Sequence, residues 1–250
     1  MKTNTRPFKY KTFGAGPPVL LIPGLDGITE FFADIYPALS PEYRVIKYYL
    51  PLLDEAKEKG VEYTFDFIAA DIKECLEELG IETSHIIGES FGGAVAMTFA
   101  LNYPDMLNKL VVLSSAPRFD LSFKVKLELS IFPLVPMWLF ARLHLYEVCE
   151  RNDPKWAKEM FIRNAAWADH KTVVKRAQIV SQFDITDRVS AIKVPTLIMM
   201  GGTDQFTAKG SKMLNEMIEN SKLVVIEGYG HLCHMIAPEE FVQHVATHFG

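Results

Sequence analysis

In Gly88-Glu89-Ser90-Phe91-Gly92 a serine has glycine two residues away on either side, and Gly93 follows directly. The spacing G-x-S-x-G suits a serine carried on an abrupt strand-to-helix turn, where the central backbone is forced into strained geometry and only small neighbours fit around it. The apolar run Ser84–Ile87 stands before it, and residues 93–100, Gly-Ala-Val-Ala-Met-Thr-Phe-Ala, form a helical segment that must stop before Pro104. A serine so placed sits at a helix N-terminus, where free N–H groups and the helix dipole favour negative charge developing nearby. The plainer alternative is that Ser90 only caps the helix.

A serine hydroxyl is a poor nucleophile until a base takes its proton, and the base needs a carboxylate behind it to fix its tautomer. Among seven histidines, His231 in Gly228-Tyr229-Gly230-His231 follows the last expected strand, on a loop that can return a ring over the sheet edge. His234 is the second choice. His85 lies inside a strand, His170, His244 and His248 read as helix-surface residues, and His144 falls in an inserted segment. For the carboxylate, Asp204 in Gly201-Gly202-Thr203-Asp204-Gln205 follows the run Thr196–Met200, again on a loop at a strand end. An Asx-turn for Asp204 and a packed loop histidine for His231 are the plain structural readings. Backbone N–H groups of Phe91, after the serine, and of Leu25, in Ile22-Pro23-Gly24-Leu25-Asp26-Gly27, would form an oxyanion hole.

The elements that must position these residues are parallel strands with helical crossovers. Runs at Val19–Pro23, Arg44–Tyr49, His85–Gly88, Leu110–Ser114, Thr196–Met200 and Leu223–Glu227 are nearly all apolar, as strands covered on both faces are. Apolar residues at 67, 68, 72, 75, 76 and 79 predict a helix over Thr64–Leu79, closed by Gly80. From about Phe119 to Phe183 the alternation stops, and the stretch reads as successive helices inserted as a cap over the sheet. At 250 residues and 49% hydrophobic content, the chain reads as one α/β domain, residues 1–250, with a mostly parallel, doubly wound sheet.

Composition narrows the partners. The charge of −5, from 26 basic and 31 acidic side chains, carries no run of one sign and argues against nucleic acid or an anionic membrane surface. Cys75, Cys149 and Cys233 show no metal-ligand spacing, so no metal is expected and a reduced compartment fits. No apolar region follows the basic first residues, and no stretch reaches the roughly 18 apolar residues of a membrane span. A cytoplasmic protein, monomeric or homodimeric and without stable membrane insertion, is expected.

With these landmarks in order, the chain resembles the α/β-hydrolase superfamily, specifically its compact capped esterase-like members. The resemblance runs through Pro17-Pro18-Val19-Leu20-Leu21-Ile22-Pro23-Gly24, the serine turn, Ile192-Lys193-Val194-Pro195-Thr196-Leu197 leading to Asp204, and Gly230-His231 before Pro238-Glu239. It implies an eight-stranded sheet, a cap after the sixth strand and no cofactor. Relatives often carry His-Gly where Pro23-Gly24 stands and an Asp-x-Arg-Gly-x-Gly turn where Leu50-Pro51-Leu52-Leu53-Asp54 stands, and little room for a first strand remains before Gly14. The expected activity is hydrolysis of a small-molecule carboxylic ester through an acyl-enzyme on Ser90, with His231 and Asp204. Phe132, Met137, Trp138, Phe140 and Trp167 are the expected pocket residues. The alternatives are a carbon–carbon bond hydrolase acting on a diketone-type substrate, or a non-catalytic ligand-binding protein of the same fold.

Overall fold

The computed structural model describes residues 5–120, 132–139, 142, 153–166 and 168–250. Elements run in the order β1 (Tyr10–Phe13), β2 (Pro18–Ile22), α1 (Ile35–Leu39), β3 (Arg44–Tyr48), α2 (Leu53–Glu58), α3 (Phe65–Glu78), β4 (Ser84–Glu89), α4 (Phe91–Asn102) and β5 (Leu107–Leu113). Then come α5 (Lys155–Ala165), α6 (His170–Val180), β6 (Thr196–Gly201), α7 (Ala208–Met217), β7 (Ser221–Ile226), α8 (Cys233–Ile236) and α9 (Pro238–Phe249).

The strands form one sheet in the order β1-β3-β2-β4-β5-β6-β7, parallel except for β1, which pairs antiparallel with β3 at the edge. The expected count of eight strands is therefore corrected to seven among the described residues. The short N-terminal stretch does hold a strand, hydrogen-bonded as Tyr10–Tyr48 through Phe13–Val45. Its side chains are largely exposed, so no apolar run marked it in the sequence. With one strand fewer than expected, the helical segment follows the fifth strand and not the sixth.

Alternation along the strands sorts the core into two layers. Leu20, Ile22, Ile46, Tyr48, Ile86, Leu110, Val112 and Ile198 face α3 and α4. Val19, Leu21, Val45, Ile87, Val111, Leu113, Leu197 and Met199 face α1 and α9. Helix α3 starts where Thr64 caps it, its side chain accepting from the Phe67 N–H at 3.1 Å, and it ends before Gly80 at φ 66°. Strand β2 is followed by β3 on one side and flanked by β4 on the other. Strand order thus reverses between β2 and β4, the kind of switch point beyond whose carboxyl ends sheets of this type bind ligands.

Between β5 and β6 the described residues are helical or irregular, apart from a bridge between Arg118 and Asp184 that brings the two ends of the segment together. Ala157, Phe161 and Ala165 of α5 pack on Ile28 and Phe31 after β2 and on Leu232 and Met235 at α8. Phe132 and Met137 pack with Val173 and Ala177 of α6.

One buried group makes a testable demand on this core. His234 lies between Phe32, 4.9 Å away ring to ring, and Phe241, and neither ring nitrogen has a hydrogen-bond partner among the described residues. Burial, helped by the neighbouring His231, lowers its pKa from 6.5 to about 3, so the ring is neutral in the fold. Burial takes His85 down to about 4 in the same sense. Protons then bind the unfolded chain preferentially, so the stability these rings allow is complete above about pH 6.5 and drains away as pH falls. His234→Leu is expected to flatten the dependence of urea-unfolding free energy on pH between 6 and 4, by up to about 1.4 kcal/mol per pH unit. Superimposable slopes for the two proteins would refute this.

Candidate active site

Ser90 stands between β4 and α4 with φ 54° and ψ −114°, a conformation that non-glycine residues adopt at a cost. Its N–H donates to the Leu113 carbonyl at 2.8 Å, and its carbonyl accepts from the Ser115 hydroxyl at 2.8 Å and from the Gly93 N–H at 2.9 Å. The glycines around it leave no room for a side chain. A Cβ at Gly92 would lie 2.4 Å from the Ile22 carbonyl oxygen, and one at Gly88 would lie 2.2 Å from that of Gly92. Helix α4 therefore packs directly on β2 and opens at Phe91, two residues earlier than sequence patterning places it.

Asp204 and His231 arrive on neighbouring loops after β6 and β7. The Thr203 N–H donates to the Tyr229 carbonyl at 3.0 Å, and a Cβ at Gly201 would strike the Gly230 carbonyl, so the loops lie in contact. Asp204 is 2% exposed and accepts from the Phe206 N–H at 2.9 Å, the Thr207 N–H at 3.1 Å and the Thr207 hydroxyl. Its remaining partner is His231, whose Nδ1 lies 3.0 Å from Asp204 Oδ2. The His231 carbonyl accepts from the Ser114 hydroxyl at 3.0 Å. The end of β5 thereby holds Ser90 through Leu113 and His231 through Ser114.

Sequence reasoning passed over Glu89. Its carboxylate is 3% exposed, with Oε1 3.7 Å from His231 Nε2, and it accepts a hydrogen bond from the Gly24 backbone. A Cβ at Gly24 would come within 2.5 Å of it. Burial raises its pKa to about 7, against the pull of His231 and with further upward pressure from Asp26 and Asp204. Asp204 goes the other way. Burial alone would raise it, but the charge and hydrogen bond of His231 and the Thr207 donors hold it well below the usual carboxylate range. For His231, burial opposes the charged form and is outweighed by Asp204, then Glu89 and Asp26, so its pKa rises. The signal for Glu89 was its place in G-x-S-x-G, which pattern matching treats as any residue.

Phe91 opens α4, so its N–H has no acceptor within the helix. Leu25 lies in a tight turn closed by the Gly27 N–H donating to the Gly24 carbonyl at 3.0 Å. Its side chain is partly buried against Phe132, Met137, Val173 and Ala177. Of the expected pocket residues, Phe132 and Met137 are buried, Trp138 is 55% exposed, and Phe140 and Trp167 lie outside the described residues. Among the described residues no group of histidine, cysteine, aspartate and glutamate is arranged to hold a metal ion. No helix among them is long and apolar enough to cross a membrane.

Comparison with known proteins adds a family frame. The family model described as "alpha/beta hydrolase fold" matches residues 17–238. A provisionally named carbamate hydrolase from Caulobacter sp. (strain K31) is 27% identical over 232 residues, covering 89% of this chain and 87% of that protein. The 2-hydroxy-6-oxo-6-phenylhexa-2,4-dienoate hydrolase of Comamonas testosteroni is 26% identical, covering 93% and 87%. The pimeloyl-[acyl-carrier protein] methyl ester esterase of Aeromonas hydrophila is 24% identical, covering 95% and 96%.

The electrostatics yield an expected titration. In a histidine NMR titration the His231 ring should titrate above 6.5, and Glu89→Gln should move its midpoint downward by removing one of the charges that favour the imidazolium. An unmoved or raised midpoint would mean that Glu89 exerts no such influence on the ring.

Proposed function

The chain belongs to the α/β-hydrolase fold family and is a hydrolase of that superfamily; from that premise we propose that it cleaves carboxylic esters through an acyl-enzyme on Ser90. The observation that carries the reading is the 3.0 Å contact between His231 Nδ1 and Asp204, with His231 tied through Ser114 to the strand end that also holds Ser90. With Nδ1–H donating to the carboxylate, Nε2 is left as the basic nitrogen.

On this reading Ser90 Oγ attacks the acyl carbon while its proton passes to His231 Nε2. The tetrahedral oxyanion is held by the N–H groups of Phe91 and Leu25. The C–O bond to the alcohol breaks as His231 returns the proton to the leaving oxygen. Water then attacks the acyl-enzyme, giving its proton to His231 and releasing the acid, and the proton returns to Ser90. The helical segment between β5 and β6 serves as the cap, with Phe132, Met137 and Trp138 as its candidate apolar lining. The raised pKa of His231 places the acid limb of kcat/KM above 6.5, because the ring accepts a proton only when neutral.

The relatives are named for a carbamate, a 2-hydroxy-6-oxo-6-phenylhexa-2,4-dienoate and a methyl ester, so the bond cleaved here is decided by assay. Initial rates on p-nitrophenyl esters of rising acyl length test the ester reading. Wild type should turn over, and Ser90→Ala should lose at least about a thousandfold in kcat/KM. Inertness toward every ester, with cleavage of a dienol-keto substrate, would transfer the assignment to carbon–carbon bond hydrolysis. Inertness toward both would leave the non-catalytic binding protein.

A further inference from the structure

Arg176 is buried, 2% exposed, on the inner face of α6, far in sequence from every group it touches. Its Nη1 donates to the Leu25 carbonyl at 3.0 Å and its Nε to the Tyr63 hydroxyl at 3.0 Å. Its Nη2 reaches the Pro51 carbonyl at 3.2 Å and the Leu50 carbonyl at 3.5 Å. Tyr63 in turn donates to the Pro51 carbonyl at 2.8 Å. The guanidinium fork thus joins the loop after β2 to the loop after β3, and both to a helix inserted between β5 and β6.

The loop after β2 is shaped to receive it. Gly27 has φ 76°, and a Cβ there would lie 2.8 Å from Nη1. The Leu25 side chain packs on the apolar cluster of the same helix, alongside Val173 and Ala177. Backbone carbonyl and side chain of one residue are therefore both fixed by α6. Holding the Leu25 carbonyl fixes the plane of the peptide that follows it and restricts rotation about the Leu25 backbone, while the Gly27 N–H on the Gly24 carbonyl fixes the preceding plane, which carries the Leu25 N–H.

We infer that Arg176 is a positioning residue that clasps the Leu25 turn from α6 and so holds in place the turn that presents the Leu25 N–H. This rests on the reading of that N–H as an oxyanion donor. The helical segment then contributes to the reaction's polar machinery as well as to the pocket. Lysine cannot substitute, because a single ammonium lacks the planar fork that reaches acceptors on two loops at once.

The test compares Arg176→Met and Arg176→Lys with Thr172→Val. Thr172 lies one turn earlier on the same buried face and accepts from the Leu53 N–H at 2.9 Å, so its loss loosens α6 without touching Leu25. Amide hydrogen exchange over residues 24–28, read by mass spectrometry, should quicken by about tenfold or more in the Arg176 variants and stay slow in Thr172→Val. On a p-nitrophenyl ester kcat should fall on the order of 10²-fold in Arg176→Met, the scale of a lost oxyanion donor, with KM moving less than about threefold. If Arg176→Met does not fold, Arg176→Lys carries the test with the same signs. Unchanged exchange over 24–28, or equal losses in Thr172→Val, would overturn the inference. A wild type inert to esters would sink the ester reading alone, since the exchange measurement still decides whether the clasp exists.

Discussion

The backbone at Ser90 is the constraint on which the rest of the arrangement depends. A residue held at φ 54° outside glycine costs on the order of 1–3 kcal/mol and persists only where its surroundings over-determine it. Here the surroundings are mostly backbone. The Leu113 carbonyl accepts from the Ser90 N–H, the Ser115 hydroxyl donates to the Ser90 carbonyl, and Gly88 and Gly92 let α4 lie against β2 at distances no Cβ tolerates. Any side chain at Gly92 would push α4 off the Ile22 carbonyl and release the turn. The strain is stored in the most buried part of the sheet, where β4 has neighbours on both sides and every residue of the strand is buried.

Placing that turn at the centre explains where the other groups come from. Strand order reverses between β2 and β4, and the loop after β2 leaves the sheet in contact with the turn after β4, Gly24 against Glu89. On the far side, β5 and β6 deliver Ser114 and the Asp204 loop, and β7 delivers His231. Ser114 repeats the theme in miniature. It too has positive φ, 46°, with its N–H held by the Met199 carbonyl at 2.8 Å, and this turns its hydroxyl toward the His231 carbonyl. A rigid parallel sheet thus fixes three loops relative to one another through backbone hydrogen bonds, with few long side chains involved.

What was legible in the sequence follows from this. The placement of Ser90 on a strand-to-helix turn, and of Asp204 and His231 on loops after strands, could be read because apolar runs mark the strands and the glycines reported the crowding. The buried strands were legible for the same reason, with bounds off by one to three residues. Strand β1 was not, since it sits at the edge with exposed side chains and has no apolar face to reveal it. Glu89 and Arg176 were illegible for a different reason. Each acts through groups far away in sequence, Gly24 and His231 for one and Leu25, Leu50 and Pro51 for the other, and neither spacing nor periodicity carries such a contact.

The two carboxylates around His231 show how far environment, more than residue type, sets chemistry. Asp204 has three donors besides the ring, all from Phe206 and Thr207, and these offset the cost of burying its charge. Glu89 is buried as deeply with the Gly24 N–H as its backbone donor, and its proton is held to about pH 7. One side of the imidazole therefore faces a permanent negative charge and the other a carboxyl that titrates near neutrality. An ionised Glu89 favours the imidazolium, and an imidazolium favours an ionised Glu89, so the two titrations are linked. A proton reaching His231 Nε2 meets a neighbour whose charge answers its arrival. Asp204 fixes the ring's orientation, while Glu89, 3.7 Å from Nε2, tunes its basicity.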